Sequence, residues 1–202
     1  MKLLIVSSSQ RVESQSAKVA NYISSISNDY EDVNHIELCR YDLPFWDGVE
    51  SSKYDDVNPW AMINHKIRSA DALVLITPEW GGTASPMLKN FLLMCDQQDT
   101  AHKPALLVSV VNGISGAYPI AELRMNALKN NKLVAIPDHL IVRNVEDKLL
   151  EKTDIKKCDQ NLRERITYCL HMLQQYAKAL MAVRIEHNAQ RYPNQYAYRY
   201  GM

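Results

Sequence analysis

Short apolar runs alternate with longer amphipathic ones along most of the chain. Residues 3–6 form a first apolar run, and residues 16–27 follow with Val19, Ala20, Ile23 and Ile26 at helical spacing. Residues 33–38 alternate and predict a second strand; a polar segment holding aromatics, 41–59, then leads to a helix over 60–69. The continuous apolar run at 72–77 predicts a third strand. Beyond it Ser85 and Pro86 open a helix reaching to about 97, since serine caps well and proline at a first turn has no N–H to lose. Residues 105–111 are a fourth, wholly apolar strand. Residues 119–130 predict a helix with Ile120, Leu123, Ala127 and Leu128 on its buried side. A fifth strand at 133–136 resumes at 140–142 after the Pro137-Asp138 interruption. From 154 to about 187 a long helix carries Leu162, Ile166, Cys169, Leu173, Tyr176, Leu180 and Val183 in register, widened by Leu170, Ala177 and Met181.

Strands this apolar need helices over both faces, so the pattern predicts an α/β three-layer sandwich around a parallel sheet. Five strands suggest the order 2-1-3-4-5, whose ligand crevice opens at the carboxyl ends of strands one and three. The loops leaving those strands, 7–16 and 78–85, are the two unusual loops of the chain. The expected organisation is one domain over 1–187 and a tyrosine-rich tail over 188–202, able to dock on a neighbouring subunit or to remain a free end.

Composition narrows the choice of partner. The 202 residues include 23 Lys+Arg and 23 Asp+Glu, and a net charge of zero argues against an electrostatically driven nucleic-acid or membrane partner. The four cysteines are scattered, with no C-x-x-C pair and no histidine at zinc spacing, which suits reduced thiols in a cytoplasmic protein. The opening residues are too short an apolar run for a secretion signal, and no run approaches the ~20 residues of a membrane span. Lys156, Lys157 and the 163–165 segment read as solvated helix face, and the six histidines as solvated or capped.

The loop after strand one, Ser7-Ser8-Ser9-Gln10-Arg11-Val12-Glu13-Ser14-Gln15-Ser16, has the composition of a phosphate cradle. A helix N-terminus offers free N–H groups and positive dipole, serines add donors, and an arginine can pair a phosphate through two N–H groups. A serine-rich turn with an N-cap accounts for the same residues. There is no G-x-G-x-x-G and no G-x-x-x-x-G-K-S/T. The loop after strand three, Pro78-Glu79-Trp80-Gly81-Gly82-Thr83-Ala84-Ser85, joins an aromatic ring and a carboxylate to two glycines whose bare backbone can approach a flat ligand. Glu79 is expected to fix this turn by accepting backbone N–H bonds rather than to act as a base.

Taken in order, Ser9-Gln10-Arg11-Val12-Glu13-Ser14, Asp42-Leu43-Pro44-Phe45-Trp46-Asp47, Pro78-Glu79-Trp80 with Leu88-Lys89-Asn90, and Asn112-Gly113 through Ser115-Gly116 resemble the NAD(P)H-dependent FMN reductase family. That family has a flavodoxin-like fold and includes quinone, azo-dye and chromate reductases. The resemblance, over roughly residues 1–136, implies an oxidoreductase that binds FMN, uses NADPH or NADH as co-substrate and passes electrons to a quinone, flavin or similar small-molecule acceptor. It also implies a homodimer or homotetramer, in which Trp46 either packs under the loop or reaches a partner subunit's flavin.

By the same resemblance Ser9, Arg11, Ser14, Gln15 and Ser16 surround the phosphate. Pro78, Glu79, Trp80, Gly81 and Gly82 line the isoalloxazine, and Asn112 and Gly113 close its other edge. Lys89 and Asn90 read as structural, and no catalytic acid, base, nucleophile or metal site is implied. The chain departs from the family's usual residues at Ser8 (glycine), Ser16 and Gly81 (asparagine) and Trp80 (tyrosine), and Ser8 is expected to alter the loop. A flavodoxin-like electron carrier, and a non-enzymatic descendant without the cofactor, are the competing readings.

Overall fold

The computed structural model describes residues 1–54, 58–150, 156–189 and 192–193. β1 (Lys2–Ser7) pairs in parallel with β2 (Asp32–Glu37) on one side and β3 (Ala72–Pro78) on the other. β4 (Pro104–Val110) and β5 (Val134–Val142) extend the sheet to the order 2-1-3-4-5, as the sequence predicts. Every residue of β3 and β4 is buried. The reason is cover on both faces. α1 (Gln15–Ile26) and α6 (Lys157–Ala189) lie over one face, contributing Val19, Ala20, Ile23, Ile166, Cys169, Leu173 and Ala177 to its core. α2 (Trp60–Ser69), α3 (Pro86–Met94) and α5 (Ala117–Glu122) lie over the other, with Trp60, Ile63, Ile67, Leu88, Phe91 and Ile120. Crossovers between parallel neighbours carry these helices, and they leave the carboxyl ends of β1, β3 and β4 on one edge of the sheet.

Four elements differ from the sequence reading. α3 stops at Met94 because Cys95 turns extended, and a separate turn of helix, α4 (Gln97–Thr100), follows. Thr100 donates to the Asp96 and Asn131 carbonyls and closes that turn. The helix expected over 119–130 begins earlier, at Ala117, and widens after Glu122 into a π-helical turn, Leu123–Ala127. β5 is one strand and not two: Pro137-Asp138 is absorbed as an irregularity between Ala105 and Leu107 of β4, on the edge where a missing N–H costs no ladder bond. Arg124 donates to the Ile136 and Pro137 carbonyls that the irregularity releases.

In α6 the buried stripe ends at Ala177. Val183 and Ile185 are exposed, and the outer turn is held by Arg184, which pairs with Asp71 and donates to the His102 carbonyl. The 163–165 segment is not plain solvated face either: Arg163 pairs with Asp159 and donates to the Leu150 carbonyl, while Arg165 pairs with Asp138. Of the predicted tail, residues 190–191 and 194–202 lie outside the described residues. Among the described residues no helix is long and apolar enough to cross a membrane, and no three His, Cys, Asp or Glu side chains stand together as metal ligands.

Candidate functional site at the carboxyl edge of the sheet

Three loops meet at this edge, and each is tied to the next. Ser8, just past β1, is buried. Its N–H and its hydroxyl both donate to the Ile76 carbonyl of β3, and its own carbonyl accepts from the hydroxyl of Ser85. Serine therefore fits here by extending the sheet contact, in an ordinary backbone conformation; the positive φ that would favour glycine falls instead at Glu13. Ser9 is buried and accepts from the Arg11 N–H, which folds the loop back on itself. Ser14 caps α1 by accepting from the Ala17 N–H, leaving the N–H groups of Gln15 and Ser16 in the first turn with no intrahelical partner. Gln15 is exposed and Ser16 buried, so what Ser16 can offer an anion is its backbone.

The second loop is a tight reversal. Trp80 and Thr83 exchange backbone hydrogen bonds around Gly81 and Gly82, whose φ values of 58° and 76° belong to the type I′ turn. Glycine suits both positions of that geometry, and a Cβ built on Gly81 would meet nothing within 4 Å, so its backbone stands open. Ser85 caps α3 through the Met87 N–H, and its own N–H donates to Thr77 Oγ1. Pro78 ends β3, buried opposite Val110. Trp80 remains 40% exposed, with the Arg11 guanidinium 5.4 Å from its ring centre. The first two loops therefore touch at the floor, through Ser8 and Ser85, and at the rim, through Arg11 and Trp80.

The third loop follows β4 and carries Asn112 and Gly113, both exposed, the latter with open space around its Cα. It joins the second loop at Glu79. The Glu79 N–H donates to the Val110 carbonyl, and its carboxylate accepts from the Ser115 hydroxyl at 2.9 Å. Glu79 thus bridges two loops through a side-chain partner and does not gather backbone N–H groups within its own turn. Lys89 and Asn90 each have partners within the fold, Lys89 through Glu122. Asn90 holds the 43–47 strap by accepting from the Trp46 N–H and donating to the Pro44 carbonyl. Trp46 is half-buried against the core beneath, with the Lys53 ammonium 4.4 Å from its ring centre.

Several residues of this edge carry no signal in the sequence. Glu122, from α5, accepts the Ala84 N–H at 2.7 Å and the Lys89 ammonium at 3.1 Å. Burial alone would raise its pKa, but these two donors outweigh it and hold the carboxyl below the usual range. Arg143, just past β5, donates to the Ile114 and Ser115 carbonyls and so ties the third loop to the end of β5. Gly116 is packed so closely that a Cβ would lie 2.3 Å from Ile141 Cγ2, at a φ of 102°. Each partner is distant in the chain, so only the folded backbone reveals the pairing.

The donor set suits a ligand with an anionic end and a flat body. Ser9, Arg11 and the first turn of α1 offer donors at one side, while Trp80, the glycine turn and the Asn112-Gly113 backbone offer an uncharged surface at the other. FMN has this form, and the open backbone at Gly81 and Gly113 leaves room for a ring.

Comparison with known proteins agrees. In sequence the chain is 28% identical over 142 residues to an NADPH azoreductase of Bacillus sp. (strain OY1-2), spanning 70% of this chain and 76% of that one. It is 26% identical over 162 residues to an FMN-dependent NADPH-azoreductase of Staphylococcus saprophyticus, spanning 79% and 81%. Among solved structures, FerB, a flavoenzyme NAD(P)H:(acceptor) oxidoreductase of Paracoccus denitrificans, superposes with a TM-score of 0.69 at 19% identity, over 87% of this chain and 98% of that one. An oxidoreductase from Corynebacterium diphtheriae gives 0.69 at 15% identity, over 88% and 97%. These two likenesses speak to the flavodoxin-like fold. The family model for NADPH-dependent FMN reductase matches residues 1–147, from β1 through the end of β5, and the protein accordingly belongs to that family of FMN-dependent, NADPH-using oxidoreductases.

Proposed function

We propose that this protein carries two electrons from NADPH, by way of FMN, to a quinone, flavin or similar small acceptor, and that the three tied loops are where it does so. The observation that carries the reading is the pairing of an anion-suited loop with an uncharged rim at the one edge of the sheet where this fold opens a crevice. When bound, FMN supplies the redox chemistry, taking a hydride from the nicotinamide and yielding two electrons to the acceptor.

The chain's own part is positional. Ser9, Arg11 and Ser14, with the Gln15 and Ser16 N–H groups, hold the phosphate; a helix N-terminus favours an anion through its dipole as well as its donors. Pro78, Glu79 and Trp80 set the second loop against the ring, Gly81 and Gly82 present bare backbone to it, and Asn112 and Gly113 bound its far edge. Fixed N–H donors there favour the negative charge of a reduced ring without reorganising, which is where such a site lowers a barrier. No side chain of the rim needs to act as acid, base or nucleophile. We further infer a homodimer or homotetramer, since the strap of Phe45 and Trp46 presents an exposed aromatic, Phe45, beside the site's supporting helix α3.

A titration of free FMN tests the site. Stoichiometric quenching of flavin fluorescence by the protein supports the reading, and unchanged fluorescence at excess protein overturns it.

A further inference from the structure

Tyr118 stands in the first turn of α5 with 68% of its surface exposed. Its position is fixed from both ends of that helix. At the start, Gly116 approaches β5 so closely that no side chain could replace its hydrogen. At the end, Glu122 is clamped to the Ala84 N–H and to Lys89. The ring lies beside the glycine turn: a Cβ on Gly82 would stand 3.8 Å from Tyr118 Cδ2, an ordinary van der Waals distance. The Ser115–Glu79 hydrogen bond joins the second and third loops into one lip, and Tyr118 stands beside Gly82 at the same junction.

That lip is aromatic and aliphatic at its outer edge, with Trp80 at 40%, Ile114 at 86% and Tyr118 at 68% exposure. Residues 80–83 and 112–118 contain no charged side chain. With the Glu79 carboxylate taken up by Ser115 and Arg11 on the phosphate side of Trp80, the outer lip meets a ligand through stacking and edge contacts, which suit a flat apolar one. We propose that Tyr118 is a specificity-determining residue of the electron-acceptor site, forming with Trp80 an aromatic wall that favours flat, uncharged aromatic acceptors over hydrophilic ones. This inference rests on the reading of the crevice given above.

The test uses FMN-loaded protein and two measurements. The first is calorimetric binding of 2-naphthol, a flat compound that the flavin does not reduce. The second is reoxidation of the reduced protein by menadione or by hexacyanoferrate, followed in a stopped-flow instrument. In Tyr118→Ala, naphthol affinity and the menadione rate constant are expected to fall by roughly three- to tenfold, the range of an aromatic pair. The hexacyanoferrate rate should stay within about twofold, and Tyr118→Phe should keep wild-type behaviour throughout. Equal loss with both acceptors, or no loss with menadione and naphthol, overturns the proposal. A wild-type protein that fails to retain FMN overturns the crevice reading itself, and does so before any variant is made.

Discussion

The Arg11 guanidinium lies over Trp80, 5.4 Å from the ring centre, and so closes the rim between the loops that leave β1 and β3. An exposed contact of this type contributes about 0.5–1 kcal/mol, too little to hold the fold together but enough to bias one side chain. A phosphate beside the α1 N-terminus competes for the same guanidinium with charge-assisted hydrogen bonds of about 1.5–3 kcal/mol. Arg11 is thus poised to leave Trp80 for the anion. Arg11→Ala should weaken FMN affinity by about ten- to a hundredfold, as those energies imply. The melting temperature of the cofactor-free protein should move by no more than about 4 °C. Equal losses of affinity and stability, measured by fluorescence titration and thermal melts, would make Arg11 structural.

Gly116 is the tightest backbone contact of the edge. A Cβ would meet Ile141 Cγ2 at 2.3 Å and would have to adopt a φ of 102°. Gly116→Ala is expected to cost on the order of 3 kcal/mol, from overpacking and backbone strain together. Gly113→Ala, where nothing lies within 4 Å, should change stability by less than about 0.5 kcal/mol. Urea midpoints for the pair decide the matter; similar values would mean that α5 can shift to accept the methyl group.

Glu122 links α5 to the second loop, and its effect is pH-dependent. Its folded pKa is lowered: burial pushes it up, but the Ala84 N–H and Lys89 outweigh that. A carboxyl of this kind gives its full stabilisation above the ordinary carboxylate pKa and loses it as pH falls through the lowered value. Glu122→Ala should cost about 1–3 kcal/mol at neutral pH, because the Ala84 N–H loses its acceptor. Glu122→Gln keeps an acceptor oxygen and should cost less, while removing the acid-side slope. Urea unfolding of the three proteins at neutral and acid pH checks this, and parallel pH profiles would count against the linkage.

Lys103 shifts stability in the same direction, but in the alkaline range. It is buried at the end of α2, donating to the Ile67 and Arg68 carbonyls. Burial, helped by Arg184 and opposed by Asp99 and Asp71, pushes its pKa down to about 8. The unfolded chain keeps this proton to a higher pH than the folded one, so stability should rise between pH 8 and about 10, by at most ~1.4 kcal/mol per pH unit. Lys103→Met should flatten that rise. A wild-type profile that falls throughout this interval would contradict it.

The sheet order and the location of the crevice were legible from the pattern, because β3 and β4 are almost wholly apolar runs that admit no exposed face, and both are buried at every position. The glycine turn was legible too, since adjacent glycines after an aromatic predict a reversal with open backbone. What the sequence hid were pairings across long separations. Glu122 meets Ala84 and Arg143 meets Ile114 only because α5 and the end of β5 pass the same edge. No local pattern marks such a carboxylate or guanidinium as belonging to the site. How Ser8 is accommodated was hidden for a related reason: its hydroxyl finds the Ile76 carbonyl on the neighbouring strand.

The most direct test of the whole account is anaerobic reduction. FMN-loaded protein mixed with one equivalent of NADPH should lose the visible band of oxidised flavin, and the band should return when menadione is added. Colour that persists with excess NADPH, yet disappears with dithionite, would show a flavin held by the protein but closed to the nicotinamide, and would contradict the function proposed for this site.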